Sequence, residues 1–112
     1  MIEKDNFKYI CNLTTRVLGF TVDDLALKSR KRPLHIARAV AAYIGRTEEL
    51  IHPKIIAKAF KRHRTLIYHY EKSHKANYAS CEAYRNAFTK VYRAYKSLDG
   101  NLEIFLDGDF MK

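Results

Sequence analysis

The 112-residue sequence has few of the residues that interrupt helices, only four glycines and two prolines, and it has no tryptophan. Because glycine and proline dominate tight turns, this scarcity disfavours a turn-rich β-fold and favours helices. No stretch approaches the roughly 18 consecutive apolar residues that a membrane-spanning helix needs. No apolar run follows a basic start. We therefore expect neither a membrane span nor a secretory signal.

The two cysteines, Cys11 and Cys81, form no C-x-x-C pair of the kind that binds zinc. Both fall in apolar helical patterns, so we expect buried free thiols in a reducing cytosol. His69 and His74 are five residues apart and do not share one helix face. The sequence therefore predicts no metal site.

A catalytic arrangement is also missing from the sequence. The acid pairs Asp23-Asp24 and Glu48-Glu49 fit helix starts or surface charge, and Asp107-x-Asp109 falls in an expected tail. No serine or cysteine nucleophile has an evident paired histidine and orienting acid. No G-x-x-x-x-G-K-[ST] phosphate loop is present. We expect no enzymatic activity, no cofactor and no ATP-driven step.

Positive charge is what the chain has in excess, with a net +9 from 21 lysines and arginines against 12 acids. Residues 28–38 contain five cations and no acid, and residues 54–64 contain five more and no acid. Residues 99–112 contain four acids and one lysine. A basic body with an acidic tail suits a polyanion, nucleic acid first and an anionic membrane second. The alternative is a merely solvated basic surface.

The central stretch of the chain is residues 55–70, IIAKAFKRHRTLIYHY. Apolar residues at helical spacing lie on both sides of a basic corner at residues 61–65. A core could not bury this corner cheaply, because unpaired charge is expensive to desolvate. The pattern predicts a helix-turn-helix with an outward-facing basic turn, whose second helix enters the major groove of DNA.

The remaining chain predicts an all-α bundle of about six helices containing this helix-turn-helix. Residues 1–98 form one domain, and residues 99–112 form an acidic tail whose apolar run could add a short strand or pack as a latch. Helices are expected at 5–18, 21–27, 33–46, 53–60, 65–76 and 81–98. In the third of these, Arg38 lies off the apolar stripe. His35, His52 and His74 are expected at the surface.

Four motifs in order carry a family resemblance: residues 22–32, residues 36–44, residues 56–60 and residues 62–69. Together they resemble the C-terminal DNA-binding domain of the bacterial replication initiator DnaA, whose fold is similar to that of the Trp repressor. The resemblance covers residues 5–95, and the last helix fits by pattern only.

The resemblance implies that Arg30 enters the minor groove. It also implies phosphate or backbone contacts from Lys28, Lys31, Arg32 and Arg38, and major-groove contacts from Arg62, His63, Arg64 and Thr65. Ser29, Lys61 and His69 complete the expected DNA-binding set. Thr65 could also cap the recognition helix. His69 could instead be a structural hydrogen-bonding residue.

The turn departs from the family pattern, because it is one residue shorter and contains neither glycine nor acid. An aspartate can accept a hydrogen bond from a cytosine amino group, whereas His63 and Arg64 cannot do the same job. We therefore expect a target sequence different from the family's usual box.

The resemblance implies a replication or transcription regulator or accessory factor, bound to double-stranded DNA in the cytoplasm with the nucleoid. A monomer is expected because such domains read an asymmetric box, and the tyrosine-rich last helix leaves dimerisation open. The alternative is a protein-interaction module that binds a replication protein through the last helix and the tail.

Overall fold

The chain is all-helical in the computed structural model, which describes residues 2–28 and 31–100, the last three by their backbone alone. No strand occurs in that part of the chain. The prediction of an all-α chain is confirmed, with five α-helices and a short 3-10 helix where about six helices were expected. The elements are α1 (Ile2–Leu18), the 3-10 helix (Val22–Ala26), α2 (Arg32–Glu48), α3 (Pro53–Phe60), α4 (Arg64–Ser80) and α5 (Glu82–Gly100).

The central helix is α2, which packs against the four other α-helices and the 3-10 helix. Its buried residues are mostly small, which lets neighbouring helices approach closely. A Cβ added to Gly45 would lie only 3.0 Å from the Phe7 ring. Most of the largest buried side chains of the single core come from the surrounding elements, including Phe7, Ile10, Leu25, Ile56, Phe60 and Ile67.

The predicted C-terminal end of the first helix, residue 18, is confirmed. Gly19 has φ +85°, and the amides of Gly19 and Phe20 both donate to the carbonyl oxygen of Thr15 at 2.8 Å. The amide of Thr21 then donates to the Asp24 carboxylate at 2.9 Å, which is the acid half of a capping box. These contacts turn the chain sharply from α1 into the 3-10 helix.

Two later helices are longer than the sequence predicted. Helix α4 begins at Arg64 and continues to Ser80, four residues past the expected end. Helix α5 continues to Gly100. Residues 101–112, with the apolar run of the acidic tail, lie outside the described part of the chain.

The aromatic stripe of α5 faces the inside of the domain. Tyr84 and Tyr95 are buried, and Phe88 and Tyr92 are half-buried against the core. The hydroxyl of Tyr95 donates to the Glu49 carboxylate at the end of α2. The structure thus places Tyr84 and Tyr95 in the core and Tyr92 against it.

His74 lies deeper than the sequence predicted. It was expected at the surface, but it is half-buried and stacks on Tyr43 with 3.6 Å between ring centroids. Its Nδ1 is 2.6 Å from the hydroxyl of Tyr84. Rings on α2 and α5 enclose the imidazole, and this burial lowers the pKa of His74.

Candidate nucleic-acid interface

One side of α4 presents polar and cationic side chains to solvent. Its exposed residues recur at helical spacing and contain no acid; we call them the α4 face: Arg64, Thr65, Tyr68, His69 and Lys72. On the opposite side, Ile67 and Tyr70 are buried in the core. The helix is therefore amphipathic, with an outer side that the core does not use.

The only acid within α4, Glu71, forms an ion pair with a residue of α2. Its Oε1 lies 2.6 Å from Nε of Arg46 on α2. Arg46 also donates to the carbonyl oxygen of Ile51 in the connector before α3. The pairing compensates the charge of the one carboxylate of the helix, and the α4 face itself contains two cations and no acid.

His63 is the N-cap of α4. Its Nδ1 accepts a hydrogen bond from the amide of Thr65 at 3.1 Å and lies 2.6 Å from the Thr65 hydroxyl. The sequence offered Thr65 as a possible cap, but Thr65 is the second residue of the helix. His52 caps α3 in the same way, with its Nδ1 accepting from the amide of Lys54 at 3.1 Å.

The turn between α3 and α4 depends on a left-handed residue. Lys61 has φ +54° and ψ +46°, a conformation that non-glycine residues adopt at a cost. The amide of Lys61 donates to Lys58, and the amide of Arg62 donates to Ala57. These bonds close the end of α3 and leave the Lys61 side chain exposed beside the start of α4.

Arg38 is 3% exposed, although the sequence placed it off the apolar stripe as a phosphate contact. Its Nε donates to the carbonyl oxygen of Leu25 at 2.8 Å, and its Nη2 donates to that of Leu27 at 2.7 Å. Desolvation and the nearby Arg62 lower the pKa of Arg38. The structure thus uses this guanidinium to hold the residues that precede the basic loop.

Arg62 reaches the same loop from the turn. Its Nη2 donates to the carbonyl oxygen of Leu27 at 2.6 Å, and its Nη1 donates to that of Phe60 at 2.9 Å. The residues before the basic loop are therefore connected directly to the turn that precedes α4. The sequence predicted Arg62 as a major-groove residue, whereas here much of its hydrogen-bonding capacity joins two parts of the domain.

The basic loop itself is described at its two ends. Lys28 and Lys31 are exposed, and Lys31 immediately precedes α2. Ser29 and Arg30, including the expected minor-groove arginine, lie outside the described residues. Arg32 is exposed, and its Nη2 donates to Sγ of Cys81 at the start of α5, at 2.9 Å.

The two thiols differ in their surroundings. Cys11 is buried as expected, and desolvation raises its pKa to about 12. Cys81 is only half-buried, which corrects the expectation that both would be buried. The backbone amide of Tyr84 and the Arg32 guanidinium lower the pKa of Cys81. Both cysteines are free thiols.

A concave surface of about 410 Å³ lies between the basic loop, α2 and the turn. We call it the basic basin. Lys28, Arg38, Lys61 and Arg62 contribute the cations of its lining, and none of its seven lining residues is acidic. His35 forms part of the rim, and its pKa is lowered by burial, by Arg38 and by His69. The basin therefore concentrates positive charge beside the start of α4.

Several members of this surface were not among the predicted site residues. Lys54 and Lys58 of α3 lie beside Arg62, His63 and Arg64 around a second depression. Tyr68 is 48% exposed on the α4 face. The signal for Tyr68 was available, because it is four residues after Arg64 and three after Thr65, and such residues share a helix face.

The described residues offer neither a metal site nor a membrane-spanning segment. No cluster of three or more histidine, cysteine or acidic residues that could hold a metal ion occurs among them. Within residues 2–28 and 31–100, no helix has the length and apolarity to cross a bilayer. Comparison with protein-family models, curated proteins and solved structures finds no match to this chain.

Proposed function

We propose that this chain is a sequence-specific double-stranded DNA-binding protein with α4 as its recognition helix. The observation that carries the proposal is the α4 face, an exposed, acid-free side of a helix that follows a short basic turn. An α-helix with its side chains is about 10–12 Å wide and fits a major groove about 12 Å wide.

The first turn of α4 carries the side chains suited to reading bases. In helix-turn-helix proteins the N-terminal residues of the recognition helix contact base edges. Arg64 can donate to O6 and N7 of guanine together, and the Thr65 methyl group can contact a thymine methyl. His69 and Tyr68 lie one turn further along, and Lys72 at the distal end suits a phosphate.

The loop between Lys28 and Lys31 is the proposed minor-groove element, with Arg30 as its reader. Arginine suits a narrow minor groove because the negative potential is enhanced there. The hydrogen bond from Arg62 to Leu27 supports this arrangement, because it fixes the start of the loop beside the turn into α4. Both elements can then meet one duplex together.

The biological role that we propose follows the resemblance to the C-terminal domain of DnaA. The protein would act as a regulator or accessory factor of replication or transcription, as a monomer on the nucleoid. The four motifs and the α3–turn–α4 arrangement support this role. Because the turn lacks the family's glycine and aspartate, we propose that the target differs from the family box.

The test is selection of duplexes from a randomised pool, followed by the affinity of the selected duplex at several salt concentrations. We expect a defined motif of about ten base pairs, one helical turn. The logarithm of the association constant should fall by about 0.9 per phosphate contacted for each tenfold rise in salt. If no motif is selected and binding disappears at moderate salt, the surface binds polyanions without sequence specificity, and the proposal is wrong.

A second candidate function, binding of a replication protein, is favoured by an apolar groove of about 550 Å³ between α1, the 3-10 helix and α3. Phe7, Leu25 and Ile55 are among the apolar residues that line it, and Lys4 and Lys8 add positive charge. This groove suits an apolar, acidic segment of a partner. The aromatic stripe of α5, by contrast, is used within the domain.

Substitutions on the two surfaces separate these functions. Ala59→Arg would fill the groove from the exposed side of α3, and Ala83→Arg, at an exposed position of α5 outside the groove lining, is its matched control. If a purified replication initiator is the partner, Ala59→Arg should abolish the complex while Arg64→Ala leaves it unchanged. If DNA is the partner, Arg64→Ala should be the damaging change.

A further inference from the structure

We propose that the apolar groove between α1, the 3-10 helix and α3 is occupied by the acidic tail of the same chain, through the tail's apolar side chains. Three features carry this inference: the chemistry of the groove, the sequence of the tail and the place where α5 ends. The inference goes beyond DNA binding and does not depend on it. A partner protein that used this groove would have to displace the tail.

The groove combines apolar and basic side chains. Its lining includes the buried rings of Phe7 and Phe60 and the exposed residues Lys4, Lys8 and Lys58. None of the described residues that line it is acidic, and within that part of the chain none of the three lysines forms an ion pair. The groove therefore offers apolar area beside three uncompensated positive charges, which suits an apolar segment that also carries carboxylates.

The tail has the complementary composition. Residues 101–112, NLEIFLDGDFMK, contain six bulky apolar side chains and three acids against one lysine. Glu103 lies within the apolar run 102–106, and Asp107 and Asp109 lie between this run and Phe110. Docking would remove apolar surface of both the tail and the groove from water, and the three lysines would attract the acids.

Helix α5 brings the tail to the correct end of the domain. The hydroxyl of Tyr95 donates to the Glu49 carboxylate, and the side-chain amide of Asn6 donates to the same carboxylate at 3.4 Å. The last turns of α5 therefore lie beside the first turns of α1. Asn6 is two residues from both Lys4 and Lys8, so the groove begins on the same short stretch of α1.

The distance that the tail must cover is short. A helix with its side chains is about 10–12 Å wide, and the five residues from Gly100 to Phe105 span about 17 Å when extended. The tail can therefore cross α1 and place its apolar residues in the groove.

The covalent connection also raises the occupancy of the groove. A short linker gives an effective concentration on the order of 1 mM, so a segment with an intrinsic dissociation constant of about 0.1 mM would be docked about nine tenths of the time.

The closing experiment measures ¹⁵N relaxation of the full chain in wild type, Ala59→Arg and Ala83→Arg. Ala59→Arg fills the groove from the exposed side of α3, and Ala83→Arg is the matched exposed change on α5. For the amides of residues 104–110 we expect order parameters above about 0.6 in wild type and in Ala83→Arg, and below about 0.6 in Ala59→Arg. Tail amides that are already below this value in wild type, or that keep their order in Ala59→Arg, would overturn the proposal.

The reverse readout follows the groove and keeps the test decisive if Ala59→Arg does not fold, as judged by circular dichroism. In Leu106→Ser/Phe110→Ser we expect the amide signals of Lys8 and Ala59 to shift from their wild-type positions, while that of Lys90, on an exposed side of α5, stays. Unchanged groove signals would contradict docking.

Dilution distinguishes the chain's own tail from that of a second copy. Docking within one chain is independent of protein concentration, so the order parameters of the tail should stay the same when the sample is diluted. Tail order that decreases on dilution would assign the groove to the tail of a second copy and overturn the proposal. None of these measurements involves DNA, so their outcome is separate from that of the duplex selection.

Discussion

Arg38 and Arg62 donate hydrogen bonds to the same acceptor, the main-chain carbonyl oxygen of Leu27, at 2.7 and 2.6 Å. Arg38 comes from the central helix, and Arg62 comes from the turn before α4. Two guanidinium groups that repel one another are thus held together by one carbonyl dipole. This contact couples the start of the basic loop to both the core and the proposed reading helix.

The first prediction concerns Arg38. Replacing it by alanine leaves the Leu25 carbonyl without its donor in a buried site, so we expect the free energy of unfolding to fall by about 2–3 kcal/mol. Arg38→Lys should recover little of this loss, because one ammonium cannot reproduce the fixed fork of a guanidinium. Urea unfolding followed by circular dichroism measures both, and Arg93→Ala, an exposed change on α5, should stay within about 0.5 kcal/mol of wild type.

The second prediction concerns the histidine cap of α4. His63→Ala removes the acceptor for the Thr65 amide, so we expect a loss of about 1 kcal/mol in unfolding free energy. His63→Asp should restore stability, because a carboxylate both caps the helix and complements its dipole. The same carboxylate should weaken duplex binding by repelling phosphate. His52→Ala and His52→Asp on α3 are the matched controls and should show the same changes in unfolding free energy. If His52→Asp weakened duplex binding as much as His63→Asp, a specific role for His63 would be contradicted.

The third prediction separates stability from binding at Lys61. Lys61→Gly removes the strain of a left-handed lysine, so we expect the unfolding free energy to rise by about 0.5–1 kcal/mol. The same change removes an ammonium group from the basic basin, so duplex affinity should fall. Thermal unfolding and a binding titration on one sample would show the opposite signs. A variant that gains stability and keeps full affinity would remove Lys61 from the interface.

The fourth prediction distinguishes residues of the α4 face that contact bases from those that contact DNA phosphates. Arg64→Ala should cost about 1–3 kcal/mol on the selected duplex and relax the preference at one base pair. Lys72→Ala should weaken binding to all duplexes equally and make the log–log salt slope shallower by about 0.9. Repeating the selection with each variant decides between these outcomes. If Arg64→Ala weakened binding to all duplexes equally, Arg64 would instead contact the DNA backbone.

The fifth prediction concerns stability at low pH. Burial holds the pKa of His74 below its ordinary value of about 6.5, so the unfolded chain binds more protons than the folded one below that pH. Stability should therefore fall as pH decreases from about 6.5 toward the folded-state pKa. In His74→Phe the decrease in unfolding free energy between pH 7.5 and 5.5, measured in urea, should be smaller than in wild type. His35, whose pKa is also lowered, should contribute a decrease of the same sign in both proteins, and an identical decrease in wild type and variant would contradict the assignment to His74.

The helices could be predicted from the sequence because their apolar residues recur at helical spacing. Helix α1 ends at residue 18 as predicted, next to Gly19, and Asp24 supplies the capping-box acid of the 3-10 helix. These features depend on residues within about one turn of each other, which a sequence displays directly. The α3–turn–α4 unit belongs to the same class, since its apolar stripes flank the basic turn.

The structural roles of Arg38 and Arg62 could not be predicted from the sequence in the same way. Arg38 is buried because two carbonyl oxygens more than ten residues earlier converge on it. Arg62 depends on Leu27, 35 residues away. A cation in a basic stretch is ordinarily a surface group, so its burial becomes visible only when the fold brings acceptors to it. The aromatic enclosure of His74 has the same origin, because its rings come from α2, α4 and α5.

The separation between the two sides of α4 has a consequence for engineering. The α4 face contributes nothing to the buried core, while Ile67 and Tyr70 anchor the helix from the other side. The five outward positions can therefore be exchanged as a set, much as the reading residues of a zinc finger are, without disturbing the small-residue packing around α2. A library randomised only at these positions should yield folded proteins with altered DNA preferences.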